Sequence, residues 1–144
     1  MLIKTILKHK PPGFISVPAD MRIDGVVALL AKRNIGAVLV VENDDLIGIL
    51  SERDVVRSLA SKPAETLSIT AGALMTRNPT TAPPEMTVEA ALAVMTNGHF
   101  RHLPVVEQGR LIGLVSIGDV VKARIDQSQH EVDSLRTYVA GPAL

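Results

Sequence analysis

The chain has 144 residues, 47% of them hydrophobic, and its 15 Lys and Arg residues balance its 15 Asp and Glu residues. This length suits one globular domain with a sizeable buried core, and the balanced charge disfavours binding to nucleic acid. The chain has no cysteine, which excludes disulfides, thiolate catalysis and cysteine-ligated zinc.

The apolar segments of the chain are short. Residues 1–8 are too often interrupted by lysine for a secretion signal, and no apolar run approaches the length of a membrane span. We therefore expect a cytoplasmic protein that has no membrane partner. With two Phe, one Tyr and no Trp, the core is expected to consist of aliphatic side chains and methionine.

The first half of the chain predicts alternating helices and strands. An apolar lead-in over residues 1–13, expected as a strand or a helical turn, ends at Pro-Pro-Gly, which is typical of a turn. Apolar side chains at helical spacing and unbroken β-branched runs then predict the next elements. These are an extended segment at 15–17, a helix at 21–33, strands at 37–41 and 46–50 joined by a turn at 42–45, and a helix at 52–60.

A bridge over residues 61–78, with a short helix at 69–75, leads into a second half with the same plan. Its predicted elements are an extended segment at 80–82, a helix from the N-cap Thr87 to Met95, strands at 103–106 and 111–115, and a long final helix after Ser116. Pro104 indicates an edge position or the start of its strand.

The final helix is predicted to run past Val139 and to stop at Gly141-Pro142. A helix of this length, roughly 36 Å at 1.5 Å per residue, exceeds what one such unit covers. Its apolar stripe at Val132, Leu135, Tyr138 and Val139 predicts a contact with a second subunit, and hence a homodimer.

The two halves are copies of one unit, because nearly the same string occurs twice at an offset of 113 − 48 = 65 residues. Gly48-Ile49-Leu50-Ser51-Glu52-Arg53-Asp54 in the first half corresponds to Gly113-Leu114-Val115-Ser116-Ile117-Gly118-Asp119 in the second. Each copy predicts a strand that runs into the N-terminus of a helix.

The shared Ser-x-x-Asp motif has two compatible interpretations. In the structural one it is a capping box, in which the serine and the acid each accept a hydrogen bond from the other's backbone amide. In the functional one, the free amides and positive dipole of the helix N-terminus attract a phosphate. The carboxylate would then accept hydrogen bonds from ribose hydroxyls.

This order of elements, the repeated Ser-x-x-Asp and the segment Arg101-His102-Leu103-Pro104 resemble a tandem cystathionine β-synthase (CBS) domain pair, or Bateman module, of the stand-alone bacterial type. The resemblance implies an α+β fold of two βαββα repeats with pseudo-two-fold symmetry, their sheets packed together, their helices outside and an extended C-terminal helix. It divides the chain into a first repeat with its lead-in at 1–62, a linker at 63–78, a second repeat at 79–124 and a helical extension at 125–144.

The resemblance also implies two clefts that bind adenine nucleotides (AMP, ADP, ATP or NAD) as ligands and not as catalytic cofactors. One cleft would combine Ser116 and Asp119 with Ile15, Ser16, Ile35 and Gly36. The other would combine Ser51 and Asp54 with Thr80, Phe100, Arg101 and His102. We expect the acids to bind ribose and the serines to face ribose or phosphate.

Arginine side chains distinguish the two predicted clefts. Arg53 and Arg101 are candidates for pairing with phosphate, because a guanidinium matches the geometry of phosphate oxygens; as surface side chains they would simply be solvated. Gly118 and Gly36 occupy the corresponding positions of the other repeat. The two clefts are therefore predicted to be unequal, and one of them to be weak or empty.

Other functions are less well supported by the residue pattern. His99 and His102 lack a third metal ligand at a suitable spacing, Phe100 suits core packing as well as adenine stacking, and no catalytic triad or phosphate-binding loop is present. The predicted function is a non-enzymatic sensor that binds an adenine nucleotide and modulates a partner protein. The alternative is a dimeric interaction module with vestigial nucleotide sites.

Overall fold

The computed structural model describes residues 1–140, in which helices alternate with short strands. The elements of the first part of the chain are α1 (Ile3–Lys8), β1 (Ser16–Val17), α2 (Ile23–Arg33), β2 (Ala37–Glu42), β3 (Asp45–Ser51) and α3 (Glu52–Ser61). A 3₁₀ turn at Thr66–Ser68 follows, and then α4 (Ala71–Leu74), β4 (Thr76–Arg77), α5 (Val88–Gly98), β5 (His102–Glu107), β6 (Arg110–Ser116) and α6 (Ile117–Ala140).

The strands form two sheets, one in each half of the molecule. The first sheet has the order β1-β2-β3-β4, with β1 parallel to β2 and the other pairs antiparallel. The second consists of antiparallel β5 and β6, which Ala82 extends by a parallel bridge to Val105. Because β3 contacts β6, the two sheets meet at the centre of the molecule, as the resemblance implies.

The hairpins have the turns that their sequences favour. Asn43 and Asp44 in the first hairpin, and Gln108 and Gly109 in the second, all have positive φ values between 50° and 77°. Two consecutive residues of this kind give a tight turn whose twist matches that of the flanking strands. In each hairpin the second strand leads directly into a helix: β3 is followed by α3, and β6 is followed by α6.

Two segments of the chain each precede one repeat and pack on the half formed by the other. Ile3 and Ile6 of α1 are buried in the core of the second half, while Ala71 and Met75 are buried in the core of the first. The backbone N–H of Ile3 donates to Met86, and that of Ala71 donates to Met21. The segment boundaries predicted from sequence follow chain order, whereas the packing exchanges these two segments between the halves.

Several elements differ in detail from the sequence prediction. The lead-in contains a helix, α1; the turn of helix predicted within 69–75 is confirmed as α4, and the sequence did not predict strand β4, which follows it. The predicted extended segment at 80–82 pairs through Ala82 alone. Strands of two residues are too short to produce a periodic pattern, and they form because a neighbouring strand supplies their partners.

The long last helix is confirmed, since α6 has 24 residues. Its stripe is exposed: 62% of Leu135, 84% of Tyr138 and 76% of Val139 are accessible to solvent in the single chain. The predicted stop at Gly141-Pro142 lies outside the described residues. No helix within residues 1–140 combines the length and apolarity required to cross a membrane.

Candidate functional site

The two Ser-x-x-Asp motifs form the helix caps that their sequence predicts. The Asp54 Oδ2 atom accepts from Ser51 N at 2.8 Å and from Ser51 Oγ at 3.0 Å, and Asp54 N donates to Ser51 Oγ at 3.3 Å. In the second repeat, Asp119 Oδ2 accepts from Ser116 N at 2.9 Å, and Asp119 N donates to Ser116 Oγ at 3.1 Å. The capping interpretation is therefore confirmed at both positions.

The first of these caps opens into a cavity of about 350 Å³ between the two halves. Its volume lies within the range of small-molecule sites, roughly 300–1,000 Å³. All of the residues predicted for this cleft line it, namely Ser51, Arg53, Asp54, Thr80, Phe100, Arg101 and His102. Residues 51–54 come from α3 and its cap, whereas residues 98–102 come from the turn between α5 and β5.

Sequence reasoning missed several residues of this cavity. They are Ile49, Glu52, Arg57, Thr76, Asn78, Pro79, Gly98 and His99. Arg57 carried a usable signal, since it follows Arg53 by four residues and therefore shares a helix face with it. No sequence signal marked Thr76, Asn78 or Pro79, because these residues line the cavity only where the chain passes from one half to the other.

Gly36 lies in this cavity and not with the predicted partners Ser116 and Asp119. Its carbonyl accepts from Glu52 N at 2.9 Å, which fixes Gly36 beside the start of α3 in its own half. A Cβ atom at Gly36 would lie 3.5 Å from both Glu52 Oε1 and His102 Nε2. The assignment of Gly36 to the other cleft is therefore corrected.

Charged groups line the cavity with a surplus of positive charge. Its lining includes three arginines, Arg53, Arg57 and Arg101, and two acids, Glu52 and Asp54. The ion pairs found within residues 1–140 involve none of the three arginines. Their guanidinium groups are thus available to an anion, and Arg53 is itself half-buried.

His102 lies between the cavity and the second Ser-x-x-Asp motif. It pairs with Ser116 in the β5–β6 hairpin, and its imidazole is close to Gly36. Burial lowers the pKa of His102 and outweighs the opposing effect of the nearby Glu52 carboxylate. The imidazole is therefore neutral at neutral pH and can donate one hydrogen bond and accept another.

Phe100 serves the core and the cavity together. Its ring packs against the apolar core of the second half, and it also forms part of the cavity wall. It leans over Gly98, where an added Cβ atom would contact the ring directly. Core packing, one of the two alternatives raised by the sequence, is therefore confirmed, and stacking on adenine stays a prediction.

The second predicted cleft is arranged differently. The Lys10 Nζ atom donates to Asp119 Oδ2 at 2.7 Å and to the Leu114 carbonyl at 2.9 Å. Burial would raise the pKa of Asp119, but the hydrogen bonds from Lys10 and Ser116 outweigh it and hold the pKa below its ordinary value.

The other residues predicted for this cleft have places in the first half. Ile15 and Ile35 pack against the core of that half, and Ser16 is exposed on β1. The Ile15 carbonyl accepts from Leu39 N at 3.1 Å, which extends the pairing of β1 with β2. The contacts found within residues 1–140 do not join these three side chains to Ser116 or Asp119, so their assignment to the cleft stays a prediction.

The CBS domain family matches residues 4–61 and 71–126, which is most of the chain and both repeats. The chain belongs to the CBS domain family. A CBS pair of this chain's kind is found in CBSX3, a mitochondrial CBS domain-containing protein of Arabidopsis thaliana, which is 35% identical over 145 residues, 97% of this chain and 70% of the relative.

Solved structures of CBS proteins have the same fold. A CBS-domain-containing protein from Agrobacterium tumefaciens is 38% identical with a TM-score of 0.83, covering 86% of this chain and 99% of that one. Two further CBS structures contain adenosine compounds. One, from Pyrobaculum aerophilum, is complexed with AMP (28% identity, TM-score 0.73, 83% and 89% covered). The other, protein MJ0100, is complexed with 5′-methylthioadenosine and S-adenosylmethionine (28% identity, TM-score 0.76, 88% and 98% covered).

Proposed function

We propose that this CBS pair is a regulatory sensor that binds an adenine nucleotide (AMP, ADP, ATP or NAD) in the cavity capped by Ser51 and Asp54. The observation that carries the proposal is the combination, in one cavity between the halves, of a ribose-type carboxylate with three guanidinium groups that form no ion pair within residues 1–140. Structures of related CBS proteins with AMP or with methylthioadenosine support an adenosine compound as the ligand class.

Asp54 is suited to hold a ribose. The hydrogen bonds that it accepts from Ser51 both end on Oδ2, and within residues 1–140 no other side chain occupies its Oδ1 atom. A carboxylate oxygen of this kind accepts from the two hydroxyls of a ribose, which positions the sugar at the start of α3. The dipole of α3 then favours the phosphate at the same end of the cavity.

The arginines favour a nucleotide over an uncharged nucleoside. Arg53 and Arg57 come from α3, and Arg101 comes from the opposite half. A phosphate bound between them would connect the two halves through charge-assisted hydrogen bonds. Such a ligand stabilises one relation of the halves more than others, which is the requirement for transmitting a signal.

The receiver of the signal is proposed to be a partner protein that is sensitive to the state of a homodimer. The exposed stripe of α6, with Leu135, Tyr138 and Val139 at its end, is an apolar surface of the kind that a second copy covers. The same stripe favours the alternative function, an interaction module that works without nucleotide. Ligand binding separates the two.

The proposal is tested by thermal unfolding of the full chain with AMP, ADP, ATP, NAD and, as a non-adenine control, GTP. At about 100 times its Kd, a ligand adds about 2.7 kcal/mol to the folded state. For 144 residues this corresponds to about 9 °C, since the entropy of unfolding is about 2.1 cal/mol/K per residue. We expect one or more adenine nucleotides to produce this shift and GTP to produce none.

Asp54→Asn keeps the shape of the side chain but removes its charge, and it should abolish most of the shift. Asp20→Asn, at an exposed aspartate outside the cavity, is the matched control and should retain it. If no adenine nucleotide raises the midpoint of the wild type, the Ser-x-x-Asp motif of the first repeat is a helix cap alone. The function is then better sought on the exposed stripe.

A further inference from the structure

The two segments that cross between the halves correspond to each other. Leu2 bridges to Thr87 in the second half, as Thr70 bridges to Arg22 in the first. A Cβ atom at Gly113 would meet Leu7, and one at the equivalent Gly48 would meet Met75. Each residue of the first crossing segment corresponds to the residue 68 positions later in the second, since 75 − 7 = 68. Lys10 therefore corresponds to Asn78.

Lys10 and Asn78 therefore enter equivalent clefts with different side chains. Asn78 lines the cavity capped by Asp54, and its backbone N–H donates to Ile47 at 3.3 Å. Lys10 instead directs an ammonium group onto the carboxylate of Asp119, at 2.7 Å. The side chains of this pair are only 35% and 26% exposed, so the contact is sheltered from bulk water.

The ammonium binds the carboxylate that a ribose would use, and this ion pair is what distinguishes Asp119 from Asp54, since both acids accept their hydrogen bonds within residues 1–140 on Oδ2. The Asp119 Oδ2 atom accepts from both Lys10 and Ser116, and the second acceptor of Lys10 is the Leu114 carbonyl. The ammonium adds the attraction between two opposite charges to its hydrogen bond, and a neutral ribose hydroxyl does not. Ribose hydroxyls at the Asp119 carboxylate would therefore compete with a positively charged donor of the protein, whereas the ion pairs found within residues 1–140 include none to Asp54.

The second cleft also offers less to a phosphate. Gly118 stands where the first repeat has Arg53. The positive charge of Lys10 is already neutralised by Asp119. A nucleotide entering here would thus lose its ribose partner without gaining an arginine in exchange.

We propose that Lys10 is the residue that restricts nucleotide binding to one cleft, by occupying Asp119 as an internal substitute for the ribose. This inference rests on the proposed function, since it concerns where the nucleotide binds. It predicts one nucleotide per chain, bound beside Asp54, and a second site that appears when the lysine is removed.

The test is isothermal titration calorimetry with AMP on the full chain. Lys10→Met removes the ammonium and retains the apolar stem, and Lys8→Met, at an exposed lysine of α1, is the matched control. We expect one AMP per chain for the wild type and for Lys8→Met, and two for Lys10→Met. Adding Asp119→Asn to Lys10→Met should return the stoichiometry to one. Adding Asp54→Asn to Lys10→Met should also give one AMP per chain, bound at the new site beside Asp119.

The remaining outcomes overturn the inference. Two AMP molecules per wild-type chain, or one per chain in a folded Lys10→Met variant, would show that Lys10 does not close the cleft. Loss of binding in Lys10→Met would identify Lys10 as a ligand of the nucleotide instead. If neither protein binds AMP, the titration is repeated with ADP, ATP and NAD, and the inference falls with the proposed function when none of the four binds.

An NMR titration without nucleotide distinguishes a failure of the proposed function from a failure of the Lys10–Asp119 ion pair. The Asp119 carboxyl, followed by carbon NMR as the pH is lowered, should titrate at a higher pH in Lys10→Met than in the wild type, because the variant lacks the ammonium. A shift of this kind without binding of AMP, ADP, ATP or NAD would refute the proposed function while keeping the ion pair. An unchanged titration would refute the ion pair, and with it the basis for the role of Lys10.

Discussion

Replacing Ser51 by alanine separates its role as a helix cap from its role as a nucleotide ligand. The substitution removes two hydrogen bonds, one from Asp54 N at 3.3 Å and one to Asp54 Oδ2 at 3.0 Å. It keeps the bond from the backbone N–H of residue 51 to Asp54, at 2.8 Å. Because half of the capping box survives, we expect a loss of about 1 kcal/mol, the middle of the usual range.

Ser116→Ala provides the comparison, since it removes one hydrogen bond of the same kind, at 3.1 Å, and keeps the backbone bond to Asp119. For a chain of this length, about 1 kcal/mol lowers the midpoint of thermal unfolding by about 3 °C. Both variants should show this decrease. Only Ser51→Ala should also weaken AMP binding, because only its hydroxyl lines the cavity of the proposed site.

Calorimetry and urea unfolding of the two variants provide the result. A Ser51→Ala protein as stable as the wild type would refute the capping argument. Equal AMP affinity in both variants, with the expected loss of stability, would show that the Ser51 hydroxyl caps α3 and does not contact the ligand.

Two further predictions concern packing and pH. Gly48→Ala should lower the free energy of unfolding by about 1–3 kcal/mol, because its Cβ would lie 2.8 Å from Met75 Cγ and 3.0 Å from a backbone carbonyl. The control is Gly25→Ala, whose added Cβ has its nearest contact 3.4 Å away and should cause no loss of stability. Equal stability of both variants in urea unfolding would contradict this prediction. Since the pKa of His102 is lowered on folding from 6.5, the unfolded chain binds the proton more readily, and stability should decrease as the pH falls below about 6.5. Urea unfolding at about pH 7.5 and pH 5.5 should show a smaller decrease for His102→Gln than for the wild type, and equal decreases would exclude His102 as a cause.

The parts of the site that sequence predicted are those set by local patterns. Ser51 and Asp54 lie three residues apart, and the repeat showed that the same motif starts a helix twice. The hairpins, the long α6 and the approach of residues 100–102 to the first cap also followed from the repeat and from the family that it resembles.

The parts that sequence did not predict depend on the crossings between the halves. The Lys10–Asp119 pair joins residues 109 positions apart, and no periodicity marks a lysine for such a contact. Gly36 was placed in the wrong cleft because its hydrogen bond to Glu52 in its own half determines its position. Strand β4 exists only because β3 offers it an edge.

The exchange of α1 and α4 between the halves has a consequence for synthesis on the ribosome. The first half has all of its core residues once Met75 has emerged, since its core contains residues from 17 to 75. Ile3 and Ile6 emerge first but are buried among residues 82–123, so they remain uncovered until nearly the whole globular part has been made. A cut between residues 61 and 71, where the two family-matched segments are separated, would leave each fragment without part of its own core. The unit that repeats in the sequence is therefore not the unit that folds.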